Sequence, residues 1–250
     1  MFSINRWAKL AGIKILREAE EKEAKLKASV EGLAVGQFDV HGEITIVLYD
    51  PKSMKEAVEG LSDDASSKSS VDDMSKAIMG MIRIAPPAYG PSGDENSCRG
   101  AWEVTRSGVR SKGAGVGGLL YKLASAASPT GKIMPDRREV SGDAQGFWKS
   151  KFGKMSPEKK KANVLDDESN AKTEDPNDDC LVHDYSEKDG PGSNFLNYAF
   201  DDFGGKINVS ALDAAHKDFM EELSWSLPES VNIDKLFFKA ASSVFHEMTG

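Results

Sequence analysis

A glycine-rich stretch at residues 110–120 carries the residue types best suited to chemistry in this chain of 250 residues. It reads Arg-Ser-Lys-Gly-Ala-Gly-Val-Gly-Gly-Leu-Leu, and it joins a strand-like segment to a helix-like one. Gly113, Gly115 and Gly118 let a bulky anion approach the backbone without Cβ atoms in the way. A helix that begins at the end of this loop directs its free N–H groups and its positive dipole end at the same point. The stretch therefore predicts a phosphate-binding loop.

Two known phosphate-binding patterns can be compared with this loop. Its three glycines fit the spacing of the dinucleotide fingerprint, and Asp136 stands near where a ribose-binding acid belongs. A dinucleotide-binding strand, however, is buried on both faces and almost continuously apolar, whereas residues 102–106 alternate like a strand with one solvent-facing side. A Walker loop needs Lys and then Ser or Thr after its last glycine, and Gly118 is followed by two leucines. The dinucleotide pattern is therefore disfavoured and the Walker pattern is excluded.

Hydrophobic periodicity predicts the elements that must position this loop. A strand at residues 101–109 enters it, and a helix at residues 116–127 leaves it. One or two further strands are predicted within residues 37–50, where apolar residues alternate with smaller or polar ones. Other helices are predicted over residues 4–29, 53–61, 71–84, 142–152, 210–224 and 233–245.

The loop resembles the acyl-CoA pyrophosphate loop of the GNAT superfamily of N-acetyltransferases. That family has Arg or Gln-x-x-Gly-x-Gly or Ala between a strand and a helix, and residues 110–115 read Arg-Ser-Lys-Gly-Ala-Gly. A second family element is an Asn-x-x-Ala-x-x-Phe-Tyr helix, and residues 141–148 read Ser-Gly-Asp-Ala-Gln-Gly-Phe-Trp. The resemblance covers roughly residues 100–153. A glycine-rich strand–helix turn without a ligand is the alternative interpretation.

The resemblance implies a fold class and a domain organisation. The expected class is α+β, with a GNAT-like mixed, mostly antiparallel central sheet flanked by helices. An N-terminal helix (residues 1–35) would precede the acyl-CoA-binding domain (36–155). An acidic extended arm or linker (156–205) and a helical C-terminal extension (206–250) would follow.

The resemblance also implies how acetyl-CoA would bind as co-substrate. Backbone N–H groups of residues 111–116 would bind its pyrophosphate, and Arg110 or Lys112 would neutralise phosphate charge. The strand edge at residues 107–109 would pair with the pantetheine arm and supply the oxyanion donor. The implied binding residues are Ser107, Gly108, Val109, Arg110, Ser111, Lys112, Gly113, Ala114, Gly115, Val116, Ser141 and Trp148.

Acetyl transfer to an amine needs a base for the amine and an acid for the departing thiolate. Glu103 is the only carboxylate on the entry strand and is the candidate base, unless it is an exposed carboxylate without a role. The family's thiolate-protonating Tyr is replaced by Trp148, whose indole N–H has no accessible acid pKa. Tyr121 or Tyr185 would substitute only if the fold brings one of them close. The predicted function is direct transfer of an acetyl group from acetyl-CoA to an amine of a protein or small molecule, with activity depending on this acid.

A second and less specific resemblance is to acetyltransferase-like proteins of short-tailed phages, carried by residues 134–141 and by short motifs downstream. Residues 156–205 contain 13 acidic residues and 5 lysines, a net charge of −8, so the rest of the chain is balanced. Two apolar islands in this arm, 181–182 and 195–200, would dock on a surface. The alternative function is therefore a catalytically degenerate structural, assembly or host-interaction protein of a phage virion, with a virion or host partner bound through the arm.

Composition also limits the classes of protein and of binding site that the chain is expected to represent. Cys98 and Cys180 lie far apart without a second pair, which favours free thiols in a reducing compartment. The scattered histidines lack metal-ligand spacing, so no metal is expected. No apolar run reaches ~18 residues, so no membrane span is expected, and the balanced charge outside the arm does not predict nucleic-acid binding. The expected location is cytoplasmic, or the host cytoplasm or virion if the chain is phage-encoded.

Overall fold

The computed structural model describes residues 32–59, 68–87, 97–111, 115–165, 180, 193–201, 203, 209–226 and 233–249. These residues form a five-stranded, mostly antiparallel sheet flanked by helices, which confirms the expected α+β class. The strands are β1 (Ala34–Val40), β2 (Glu43–Tyr49), β3 (Ile78–Ala85), β4 (Trp102–Val109) and β5 (Ile133–Pro135). The helices are α1 (Pro51–Glu59), α2 (Lys68–Lys76), α3 (Val116–Ala127), α4 (Gly142–Lys154), α5 (Pro157–Asn163), α6 (Val209–Ser226) and α7 (Ile233–Thr249). The predicted helix at 4–29, Lys112 to Ala114 and the island at 181–182 lie outside the described residues.

The five strands follow one another across the sheet in chain order. The first four pair antiparallel, and β4 and β5 pair parallel with α3 between them in the chain. The predicted strand at 101–109 and helix at 116–127 are confirmed, and residues 37–50 contain most of the β1–β2 hairpin. The glycine-rich loop therefore joins β4 to α3, as its sequence predicts.

The predicted helix over residues 71–84 is wrong. Residues up to Lys76 belong to α2, but Ile78 and Met81 belong to β3. Helices cover both faces of the sheet here, so β3 is buried on both sides and its sequence is a nearly continuous apolar run. Such a short run does not distinguish a buried strand from a helix by periodicity.

Alternate side chains of the sheet contribute to two cores. On one face, Val47 and Tyr49 of β2 pack with α1, α2, α6 and α7. On the other face, Ile46 and Leu48 pack with α3, α4 and residues 195–203. The second core contains Val116 and Leu119 of α3 and Trp148 of α4, and so fixes the helices that follow the glycine-rich loop in the chain.

Part of the predicted arm is folded onto the sheet. The island at 195–200 docks as expected, with Leu196 and Phe200 buried. Phe200 forms a bridge to Ile133 of β5, with both backbone N–H···O distances at or below 3.0 Å. Residues 157–163, which the sequence placed in extended chain, form α5 instead. The island thus covers the outer side of β5.

Cys98 and Cys180 are joined in a disulfide, so the expectation of free thiols is wrong. Both are fully buried in a small third core with Ala101, Met134, Leu165 and Ala199. A single cysteine pair 82 residues apart gives no spacing signal in the sequence, because only the docking of the arm brings the two together.

Reduction of this disulfide should lower the free energy of unfolding by about 4 kcal/mol, because the cross-link closes a long loop in the unfolded chain. The measurement is urea denaturation with and without dithiothreitol. The Cys98→Ala/Cys180→Ala double variant is the control and should not respond to the reductant. Two thiols titrating in the unreduced protein after unfolding would contradict the cross-link.

Candidate functional site

A cleft of about 310 Å³ opens where β4 and β5 part. The two strands pair only from Trp102 to Val104 on β4, while β4 itself continues to Val109. The cleft is therefore bounded by β4, α3, the loop after β5 and the start of α4. Its lining residues are Val104, Thr105, Arg106, Ser107, Tyr121, Asp136, Glu139, Val140, Ser141, Ala144 and Trp148.

The outer edge of β4 carries backbone groups that β5 does not use. Arg110 N donates to Met79 O of β3 at 2.9 Å. Because successive backbone groups alternate in direction, the N–H groups of Val109 and Ser107 point to the opposite edge. Within the described residues, β5 pairs with β4 no further than Val104, so this edge is left open beside the cleft.

A β-bulge lies at the point where the strands separate. Arg83 of β3 stands opposite Arg106, and the next residue of β3 stands opposite Val104, so Thr105 is the extra residue. Bulges redirect backbone and side-chain groups locally. Here the bulge places four consecutive residues of β4, Val104 to Ser107, on the cleft.

The end of the glycine-rich loop is built around Gly115. This residue is the N-cap of α3 and has a φ of +79°, a left-handed conformation that favours glycine. Ser111 is exposed and Val116 is buried against the core below. The first-turn N–H groups of α3 have no partners within the helix, and no side-chain cap is present among the described residues. Such groups can bind an anion.

The Arg110 guanidinium is bonded to backbone carbonyl groups of another segment. It donates to Ser75 O at 2.9 Å and to Ile78 O at 3.1 Å, both in or beside the turn before β3. These bonds tie the end of β4 to that turn, although the residue stays exposed. Neutralisation of phosphate by Arg110 remains a prediction, as does the role of Lys112.

Glu103 is buried rather than exposed, with 4 % of its surface accessible. Its carboxyl accepts a hydrogen bond from Arg137 N at 2.6 Å and interacts with the Asp136 carboxyl. The pKa of Glu103 is raised to about 7, chiefly by burial and also by the negative charge of Asp136, against the lowering effect of the hydrogen bond from Arg137 N and of the Arg137 charge. Asp136, not Glu103, lines the cleft. The two residues therefore form a carboxyl pair with one member at the cleft and one behind it.

Arg137 contributes to the candidate site, although no sequence motif indicated such a role for it. Its side chain is buried and donates to Pro135 O at 2.9 and 3.0 Å, to Leu196 O at 2.5 Å and to Asn197 Oδ1 at 3.1 Å. These bonds join the end of β5 to the docked island. They hold the loop that presents Asp136, and the sequence carries no local signal for a contact across some 60 positions.

An aromatic wall closes the other side of the cleft. The Tyr121 hydroxyl lies 3.0 Å from Ser107 Oγ, and its ring stacks on Phe147 with centroids 3.9 Å apart. Trp148 meets the Tyr121 ring edge-on at 5.1 Å and packs against Phe200 at 4.9 Å. The fold thus brings Tyr121 to the cleft, whereas Tyr185 lies outside the described residues.

Ser141 stands at the rim of the cleft as the N-cap of α4. Its Oγ accepts from Ala144 N at 3.4 Å, which explains why the helix begins directly after it. Gly108 and Val109 lie on β4 next to the open edge. Of the predicted binding residues, Ser107, Ser141 and Trp148 line the cleft, and the described loop residues adjoin it in sequence.

No family model, curated protein or solved structure matches this chain. In the part of the chain that the structure describes, no helix is long and apolar enough to cross a membrane. The same residues contain no group of three or more His, Cys, Asp or Glu placed to hold a metal ion. The mostly antiparallel sheet also differs from the parallel sheet of dinucleotide-binding domains. Function is therefore inferred from the cleft itself.

Proposed function

We propose that the cleft binds acetyl-CoA and that the protein transfers its acetyl group directly to an amine of a protein or small molecule. The observation that carries this proposal is the open edge of β4 beside the N-terminus of α3. An extended ligand arm with amides needs unpaired strand groups, and a pyrophosphate needs helix N–H groups. Ser107 and Val109 offer the first, and the turn after Gly115 offers the second.

The cleft also contains groups suited to acetyl transfer. The amine nitrogen would attack the thioester carbon and form the C–N bond, while the C–S bond breaks and its electron pair leaves with sulfur. The N–H of Ser107, which faces the open edge of β4 next to the Thr105 bulge, would donate to the transient oxyanion. The Glu103–Asp136 pair would accept the proton from the amine, through Asp136 or an intervening water.

Acetyl-CoA at about a hundred times its Kd should stabilise the protein by roughly 2.7 kcal/mol, a rise of several degrees in Tm. The measurement is a thermal-shift titration with acetyl-CoA, CoA and NAD. Gly115→Trp should abolish the shift, because it forces a side chain into a left-handed conformation at the anion-binding turn.

Gly131→Trp is the matched control for backbone strain. Gly131 also has a positive φ, of +73°, with no atom within 4 Å of an added Cβ, and it does not line the cleft. This variant should lose stability but keep the acetyl-CoA shift. Absence of any shift at millimolar acetyl-CoA, or a shift with NAD alone, would refute the proposal.

Among the described residues, no structural feature separately supports the alternative role in a phage particle. The island at 195–200, which this alternative would use to bind a partner, is packed within this chain against β5 and Trp148. Its apolar side chains are therefore already used in the described fold.

A further inference from the structure

Breakdown of a thioester releases a thiolate, and a proton donor at the sulfur lowers the barrier to its departure. Trp148 cannot supply that proton, because an indole N–H does not ionise in the accessible pH range. Among the described residues that line the cleft, Tyr121 carries the one phenol. The position of Tyr121 therefore decides whether a phenol can act as the acid in this cleft.

Resting on the proposed function, we propose that Tyr121 protonates the departing CoA thiolate and that Ser107 positions its hydroxyl. Tyr121 belongs to α3 and Ser107 to β4, so this pair joins the helix of the phosphate-binding turn to the strand edge. Their oxygens are 3.0 Å apart, and either can be the donor. When Ser107 donates to the phenol oxygen, the phenol proton is free to point at the sulfur.

The Tyr121 ring is held in one orientation by its neighbours. It stacks on Phe147 at an interplanar angle of 18° and meets Trp148 at 82°. Only 5 % of the residue is exposed. Two aromatic contacts and one hydrogen bond thus fix the phenol oxygen beside the open edge, which is the placement that an acid requires. In this arrangement Trp148 orients the acid instead of replacing it.

The phenol also stays protonated. Burial raises the pKa of Tyr121, and the hydrogen bond from Ser107 opposes this only in part. The O–H is therefore a donor throughout the neutral and mildly alkaline range. The other charged or titratable groups on this lining are Arg106 of β4 and Asp136 and Glu139 of the loop after β5, with Glu103 behind Asp136.

The step balances without a further reagent. The C–S electron pair moves to sulfur, sulfur takes the phenol proton, and CoA leaves as the neutral thiol. The Tyr121 phenolate then regains a proton that the acylated nitrogen has released, through cleft water or the Glu103–Asp136 pair. No electron is gained or lost by the protein.

The test uses the full chain and needs no amine acceptor. Affinities of CoA and of desulfo-CoA, which lacks the sulfur, are measured at about pH 7 and about pH 9.5, on either side of a thiol pKa near ~8.5. In the wild type, the affinity of CoA relative to that of desulfo-CoA should rise about tenfold from the lower to the higher pH, as the sulfur ionises. The reason is that a hydrogen bond to a charged acceptor is stronger. In Tyr121→Phe this gain should disappear, and desulfo-CoA should bind as in the wild type.

Tyr49→Phe is the matched control. It removes the hydroxyl of another buried tyrosine, paired with His216 Nδ1 at 2.8 Å on the opposite face of the sheet, and should retain the tenfold gain. The role of Tyr121 would be overturned if the relative affinity of CoA rose with pH equally in Tyr121→Phe and in the wild type. It would also be overturned if Tyr121→Phe bound CoA and desulfo-CoA more weakly by the same factor. If neither ligand binds the wild type, the proposed function fails and this role fails with it.

Discussion

Trp148→Ala should lower the free energy of unfolding by about 4 kcal/mol, the cost of removing a large aromatic side chain from a packed core. Trp148 is 1 % exposed and contacts Tyr121, Phe147, Phe200 and Phe203. These contacts join α3, α4 and the docked island. The expected loss therefore includes the packing that holds both walls of the cleft.

Urea denaturation of the wild type, Trp148→Ala and Trp148→Tyr would measure this effect. Trp148→Tyr keeps an aromatic ring and should lose only about 1–2 kcal/mol, since less volume is removed. It also introduces a hydroxyl at a position that lines the cleft. A loss below about 1 kcal/mol in Trp148→Ala would show that the side chain is not packed as described.

The second large effect is a pH dependence of stability that Glu103→Gln should remove. Burial raises the pKa of Glu103 from 4.5 to about 7 in the folded state. Between these values the folded chain binds more protons than the unfolded chain, so the free energy of unfolding falls as the pH rises. The stabilisation that protonated Glu103 gives relative to its ionised form is fully present below about pH 4.5 and is lost by about pH 7. It amounts to roughly 3 kcal/mol of the free energy of unfolding.

Glu103→Gln keeps an oxygen that accepts from Arg137 N but cannot ionise. The variant should thus be more stable than the wild type at about pH 8 and lose this advantage near pH 4.5. Denaturation at several pH values gives the difference curve. Glu139→Gln, which changes an exposed carboxyl of the same cleft, is the control. Its free energy of unfolding should depend on pH as that of the wild type does. A flat difference curve for Glu103→Gln would contradict the raised pKa.

The two effects have a common structural source. The docked island contributes Phe200 to the surroundings of Trp148, and it accepts hydrogen bonds from Arg137 beside Glu103. Cys180 connects the same arm to Cys98 just before β4. Segments distant in the chain therefore stabilise the cleft from outside, and changes in the arm are expected to alter the cleft.

The sequence by itself determined the local elements around the candidate site. Helix α3 spans 116–127 as predicted, because a glycine suited to a positive φ precedes an apolar helical repeat. Helix α4 begins after Ser141 because a serine side chain caps its first turn. Both signals lie within a few residues of the element that they define.

Tertiary structure alone decided the rest. Burial of β3 on both faces concealed a strand in a helix-like run, and the Cys98–Cys180 disulfide joins residues with no shared pattern. Likewise, the burial of Glu103 and the approach of Tyr121 to Ser107 arise from packing between separate elements. Backbone capping and periodicity are encoded locally, whereas solvent exclusion and side-chain proximity depend on pairings across the chain, so the chemistry of the cleft became visible only in the folded protein.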